Sequence, residues 1–183
     1  MSLETLRNAL PDFARDMKLN LGSLLTDQAL SPTQAWGCAV ACALAARQPQ
    51  VLAWLTADAR NHLPEPQLQA ALAAGTIMGM NNVYYRFNHM MEEGGDAEYA
   101  SMPARLRMQA LARHEADKLD FELWCLAVSA INGCSACVVS HEKACRDKGA
   151  SKATVQAAVR LGAVVKATAD AFAAHLALEA AQG

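Results

Sequence analysis

Apolar residues recur along this chain at three- and four-residue intervals, in runs too long for strands, and the gaps between runs carry proline, glycine or a capping side chain. Residues 3 to 26 read as two short helices, with Pro11 at a position where a helix can begin. Phe13, Met17, Leu19, Leu21 and Leu24 offer an apolar stripe there, and Arg15, Asp16 and Lys18 the polar side. Ser31-Pro32 is a helix start, serine as N-cap and proline at the first position. That helix runs through Trp36, Val40 and Leu44 and stops near Gln48-Pro49. A helix from about Gln50 to Arg60 follows, then a break at Asn61-His62-Leu63-Pro64, where His62 has no evident partner. The pattern is helical again from about Glu65 to His89, with Gly75 and Gly79 open to close packing or a kink. Asn81-Asn82 is a polar pair fit to cap, bend or line a subunit contact, and a Gly94-Gly95 loop ends the run.

In the second half, residues 98 to 113 form a short helical connection broken at Met102-Pro103, with Arg105, Arg107 and Arg113 on a solvated face or in contact with a partner's acids. Asp120 is placed to cap a helix from Phe121 to about Asn132, with Glu122 in its first turn. That segment is apolar all round, as a buried helix is. A helix after Cys134 should reach about Lys148 and stop at Gly149. Ser151 caps the last one, which continues toward Phe172, His175 and Leu178, with His175 facing solvent or complementing the helix dipole.

The halves look alike. Ala35-Trp36 is echoed by Leu123-Trp124 88 positions on, and the run Leu68 to Gly75 by Val155 to Gly162 87 positions on. The fold expected is all-α: one helical domain over 1–183, built from two pseudo-repeated halves, a scaffold of about 1–95 and a site-bearing half of about 96–183.

Composition narrows the function classes. Alanine and leucine dominate and aromatics make up 5% of the 183 residues, which favours helix over sheet. A net charge of −2 gives no electrostatic case for nucleic acid or an anionic membrane. There is no uninterrupted apolar run of membrane-spanning length, and Met1 to Arg7 has no signal-peptide pattern. A cytoplasmic, reducing setting is the expectation, with the six cysteines as thiols and any disulfide transient.

The candidate chemistry sits in Asn132-Gly133-Cys134-Ser135-Ala136-Cys137-Val138-Val139-Ser140-His141. On a helix, positions 134, 137 and 141 fall within an arc of about 60°. His141 is one turn beyond Cys137, and Glu122 stands upstream. Two cysteines three apart can close a disulfide within one turn, so the site can cycle between dithiol and disulfide. Which thiol attacks is open to two arguments. A helix N-terminus lowers the thiol pKa of Cys134, and a neighbouring imidazole activates Cys137. The carboxylate–histidine geometry tips the balance toward Cys137, whose sulfenic acid Cys134 would resolve. Zinc held by Cys134, Cys137 and His141 lacks a second ligand pair at finger-like spacing. A thioredoxin fold lacks a strand before the motif. A pair of chance cysteines is weakened by the Glu–Cys–Cys–His constellation. Cys38 and Cys42, four apart on one helix, read as buried apolar residues. Cys145, one turn after His141, and Cys125 are further thiols whose reactivity is open.

The run Phe121-Glu122-Leu123-Trp124, Ala127 to Cys134, Cys137 and His141-Glu142 resembles the alkyl hydroperoxidase branch of the AhpD/carboxymuconolactone decarboxylase superfamily. So do Leu6 to Pro11, Lys18 to Leu21 and Met78 to Val83, so the likeness spans nearly the whole chain. The decarboxylase branch lacks the paired cysteines. The resemblance implies a helical homo-oligomer, a trimer, that reduces alkyl hydroperoxides and regenerates an AhpC-type peroxiredoxin. No cofactor or metal is implied as bound. Electrons would come from dihydrolipoamide on a lipoylated dihydrolipoamide acyltransferase, recharged by lipoamide dehydrogenase. The implied catalytic residues are Glu122, Cys134, Cys137 and His141, with Cys134 as proton donor and resolving thiol and Cys137 as the sulfenic acid former. One family member has a histidine just before the second cysteine, where this chain has Ala136, so either the relay is shorter, Glu122 to water to His141, or the activity is lower. The other functional class is a non-peroxidatic superfamily member, decarboxylase-like or small-molecule-binding.

Overall fold

The computed structural model describes residues 3 to 182; Met1 and Ser2, where the leader reading begins, and Gly183 lie outside the described residues. No strand occurs among the described residues, so the all-helical expectation holds. The order is α1 (Leu3–Ala9), a 3-10 turn (Asp12–Ala14), α2 (Arg15–Leu24), α3 (Pro32–Ala46), α4 (Pro49–Ala59), α5 (Glu65–Glu93), α6 (Glu98–Ser101), a second 3-10 turn (Gln109–Leu111), α7 (Lys118–Ile131), α8 (Ser135–Asp147) and α9 (Lys152–Ala180).

The helix ends follow local chemistry. Ser31 and Gln34 form a reciprocal capping box at the start of α3. Arg47, left-handed at φ 61°, closes α3, and the Gln48 side chain caps α4. Gly149, at φ 90°, ends α8, and Ser151 caps α9 through the Thr154 N–H.

Four expectations need correcting. Asp117, not Asp120, caps α7, through the Leu119 N–H at 2.7 Å. Asp120 instead accepts from Gln34 Nε2 at 2.9 Å, tying α7 to α3, and burial pushes its carboxyl up despite that bond. Because α7 starts three residues early, Glu122 lies in its second turn. The stripe expected within residues 3 to 26 is not a core face throughout: Leu21 is buried, but Phe13 and Leu19 stand 64% and 57% exposed. Finally, His62 does have a partner, stacking on Trp36 with ring centroids 4.7 Å apart.

α3 is the centre of the core. Every residue from Ala35 to Ala43 is buried, and the helix packs on α5, α7 and α9. Such all-round burial needs small residues where axes approach. A Cβ on Gly37 would sit 2.2 Å from the Trp124 ring, and one on Gly75 2.8 Å from the Ala41 carbonyl oxygen. Trp124, fully buried, is held in place by donating from Nε1 to the Gln34 carbonyl at 3.1 Å. α9 is long and apolar enough to cross a membrane by length and composition alone. It also carries Arg160, Lys166 and Asp170, and it buries one face against α3 and α7, as a core helix does.

Candidate redox-active site

The site begins where α7 stops. Asn132 is still helical, Gly133 turns left-handed at φ 67°, and Cys134 is extended. The Gly133 N–H bonds the Ala130 carbonyl and the Cys134 N–H bonds the Ser129 carbonyl, a Schellman closure that needs a residue free to adopt positive φ. Cys134 is then the N-cap of α8, and its Sγ accepts from the Cys137 N–H at 3.3 Å. A sulfur thus occupies the place usually taken by a serine or aspartate oxygen, where free N–H groups favour negative charge.

α5 clamps this turn from beside it. Asn82 accepts from Asn132 Nδ2 through Oδ1 and donates through Nδ2 to Ser129 Oγ, both at 2.9 Å, and Arg86 Nη1 donates to the Asn132 carbonyl. Reading the Asn81-Asn82 pair as a cap, bend or subunit contact missed this. The visible signal was two consecutive amides in mid-helix, but their partners lie about fifty residues away and could not be paired from spacing.

Cys134 and Cys137 are joined as a disulfide with Cα atoms 5.3 Å apart. The two sulfurs are not equivalent to the outside. Cys134 is wholly buried, whereas Cys137 lines a cavity of about 270 Å³ together with Met78, Asn81, Tyr85, Leu111 and His141. Ala136 adds its methyl group to the wall of this cavity. His141 Nδ1 lies 2.7 Å from Glu122 Oε2. This direct contact replaces the water-bridged path from Glu122 expected from the sequence. It leaves Nε2 as the ring nitrogen free to exchange a proton in the cavity.

The bond from His141 holds the Glu122 carboxyl below its ordinary range; partial burial opposes that, and Lys148, 3.7 Å away, assists it. Glu122 also borders a second cavity, with His114 and Lys148, and Leu111 lines both this cavity and the one at Cys137.

The other four cysteines are buried. Burial and then the Glu122 charge push the Cys145 thiol up to about 12, and Cys125 is pushed well up for the same reasons. Cys42, 3.9 Å from Cys38, is pushed well up by that contact first and by burial second. Thiols held protonated are poor nucleophiles, which counts against Cys42, Cys125 and Cys145 as attacking groups. Among the described residues no group of three or more histidine, cysteine or acidic side chains lies together as a metal site would need.

The Carboxymuconolactone decarboxylase family profile matches residues 97–180, which contain Glu122, Cys134, Cys137 and His141. A Solibacter usitatus protein called "Alkyl hydroperoxide reductase AhpD" is 52% identical over 165 residues, covering 90% of this chain and 92% of its own length. The chain belongs to the AhpD family. Proteins of the same name from Gluconacetobacter diazotrophicus and Rhodospirillum centenum are 54% and 48% identical. They cover 92% and 100% of this chain, and 91% and 97% of their own lengths. The AhpD likeness therefore includes the α1–α5 region as well as the half that carries the cysteines.

Proposed function

We propose that this chain is an antioxidant thiol peroxidase that reduces alkyl hydroperoxides through Cys134 and Cys137 and passes electrons to an AhpC-type peroxiredoxin. The observation that carries the reading is the asymmetric disulfide: one sulfur faces a cavity it shares with a carboxylate-bound histidine, and the other is buried at a helix N-cap.

The cycle follows from those positions. In the dithiol form His141 Nε2 takes the Cys137 proton while Nδ1 donates to Glu122. The thiolate attacks the terminal oxygen of R–O–O–H. The S–O bond forms, the O–O bond breaks, sulfur is oxidised, and the alkoxide leaves as R–OH with the imidazolium proton. Cys134 then attacks the sulfenic sulfur, releasing water and closing the disulfide. For reduction, a thiolate of dihydrolipoamide attacks Cys137, since Cys134 is shielded. Cys134 departs as a thiolate favoured by the helix terminus, and the second lipoyl thiol releases lipoamide. The sum is hydroperoxide plus dihydrolipoamide giving alcohol, water and lipoamide. The same dithiol would reduce an oxidised peroxiredoxin. The donor is a lipoylated dihydrolipoamide acyltransferase served by lipoamide dehydrogenase, in the cytoplasm, with no membrane or nucleic-acid partner and no bound cofactor or metal.

The chain would act as one domain, 1–183, of two pseudo-repeated halves. Supporting this, α3, α4 and α5 have 15, 11 and 29 residues, and α7, α8 and α9 have 14, 13 and 29. The chain would assemble as a homotrimer, and Val83, Phe87 and Met90, exposed along α5, offer an apolar surface on which copies could associate.

The test is consumption of tert-butyl hydroperoxide with dihydrolipoamide as reductant. Wild type should turn over, Cys137→Ser should not, and Cys134→Ser should accumulate a trappable sulfenic acid. His141→Gln should slow the reaction roughly 10²- to 10⁴-fold, the span of general acid–base effects. Full turnover by both cysteine variants overturns the reading.

A further inference from the structure

The cavity that reaches Cys137 contains a polar group used by none of the steps above. Asn81 is 3% exposed, sits on α5, which packs on α8, and is one of the residues that line the cavity beside Cys137 and His141. Its Oδ1 is buried and accepts no hydrogen bond. Its neighbour contrasts with it: Asn82 is equally buried but bonded through both ends of its amide. A buried amide oxygen without a donor carries a desolvation cost that a protein normally avoids, and in a cavity wall it asks for a donor from whatever enters. The rest of that wall is mostly apolar, from Met78, Leu111, Ala136 and the Tyr85 ring.

We infer that Asn81 is the substrate-orienting residue of the peroxide step, its Oδ1 accepting the hydrogen bond of the hydroperoxide O–H while the alkyl group lies against the apolar wall. This rests on the peroxidatic reading and adds a role to it. A hydroperoxide has one donor, on the oxygen that sulfur must attack. Fixing that O–H on Asn81 aims the terminal oxygen at Cys137 and leaves the inner oxygen to take its proton from His141. The bond balance of the step is unchanged: S–O forms, O–O breaks, and alcohol leaves. Orientation of this kind acts on attack geometry, so it raises the rate for substrates carrying the O–H and not for other electrophiles.

The experiment uses the reduced full-length chain and follows loss of the Cys137 thiol in stopped flow, comparing wild type with Asn81→Leu and Asn81→Gln. One electrophile is tert-butyl hydroperoxide. The other is methyl methanethiosulfonate, which the same sulfur attacks with loss of methanesulfinate and which has no donor hydrogen. Asn81→Leu should lose about tenfold in rate with the hydroperoxide, the worth of one hydrogen bond, and keep its rate with the thiosulfonate. Asn81→Gln, which retains an amide, should recover part of the loss. An equal fall with both electrophiles would mean that Asn81 only shapes the cavity, and overturns the inference. So would an unchanged hydroperoxide rate. A third arm measures reduction of the disulfide by dihydrolipoamide and by dithiothreitol. If Asn81→Leu slows only dihydrolipoamide, the amide oxygen serves the reductant's N–H and the assignment to peroxide is wrong. Failure of wild type itself to react with hydroperoxide would sink the peroxidatic reading instead, and is seen in a separate arm.

Discussion

At the residue scale, the feature with the most chemistry in it is the Glu122–His141 contact. A carboxylate at 2.7 Å fixes which imidazole nitrogen carries the proton, so the other can act as a base in the cavity. The depressed Glu122 carboxyl also makes a statement about stability. A carboxylate whose folded pKa lies below its unfolded one stabilises the fold fully above the ordinary carboxylate range, and the gain disappears as pH falls through the lowered folded value. The melting temperature of wild type should therefore exceed that of Glu122→Gln at neutral pH, and the gap should close on acidification below the ordinary carboxylate range. Calorimetry across that window checks it; a gap that widens in acid would mean that the charged form is not the stabilising one. The effect should be modest, because the Glu122 side chain is 25% exposed.

At the element scale, the site depends on how α7 ends and how closely α3 lies beneath it. Two glycines make separable predictions. A Cβ on Gly133 would meet nothing within 4 Å, so Gly133→Ala is opposed only by the backbone at φ 67° and should cost about 1 kcal/mol. Gly37→Ala drives a methyl into a ring that the Gln34 carbonyl holds in place, and should cost more, about 1–3 kcal/mol from overpacking. Urea unfolding of the two variants ranks them; the reverse order would mean that the Trp124 ring can move aside. The same elements show what was legible in the chain. Ser31-Pro32, Gly149 and Ser151 are local devices, and they end helices where the sequence pattern placed them. Asp117 and Asp120 are both acceptable caps by local rules. What separates them is Gln34, 86 residues away, which engages Asp120. Phe13 and Leu19 fail as core residues because an apolar stripe states only that a face exists, not that something covers it. The i, i+3, i+7 spacing of Cys134, Cys137 and His141 was readable because it lies on one helix and its cap. The Asn82 clamp and the open Asn81 oxygen were not, because their meaning depends on which other helix lies opposite.

At the scale of the whole molecule, four of six cysteines are packed into the core and two are presented by one loop and the first turn of α8. Pulse alkylation of the reduced, folded chain should label Cys137 first, with Cys38, Cys42, Cys125 and Cys145 reacting only on unfolding. Peptide mass mapping reads this directly, and early labelling of Cys145 would contradict the burial that holds its thiol up to about 12. The burial of Cys134 behind Cys137 has a consequence for what can drain the oxidised state. A monothiol that opens the disulfide at Cys137 leaves Cys134 directly beneath the new bond, tethered three residues away, and ring closure expels the intruder faster than a second molecule can arrive. Only a reagent that brings its second sulfur on the same short stem competes on equal terms. In the proposed cycle the fold would sort electron donors by how many sulfurs they carry rather than by how strongly they reduce, and a cell rich in single thiols would leave this circuit unspent.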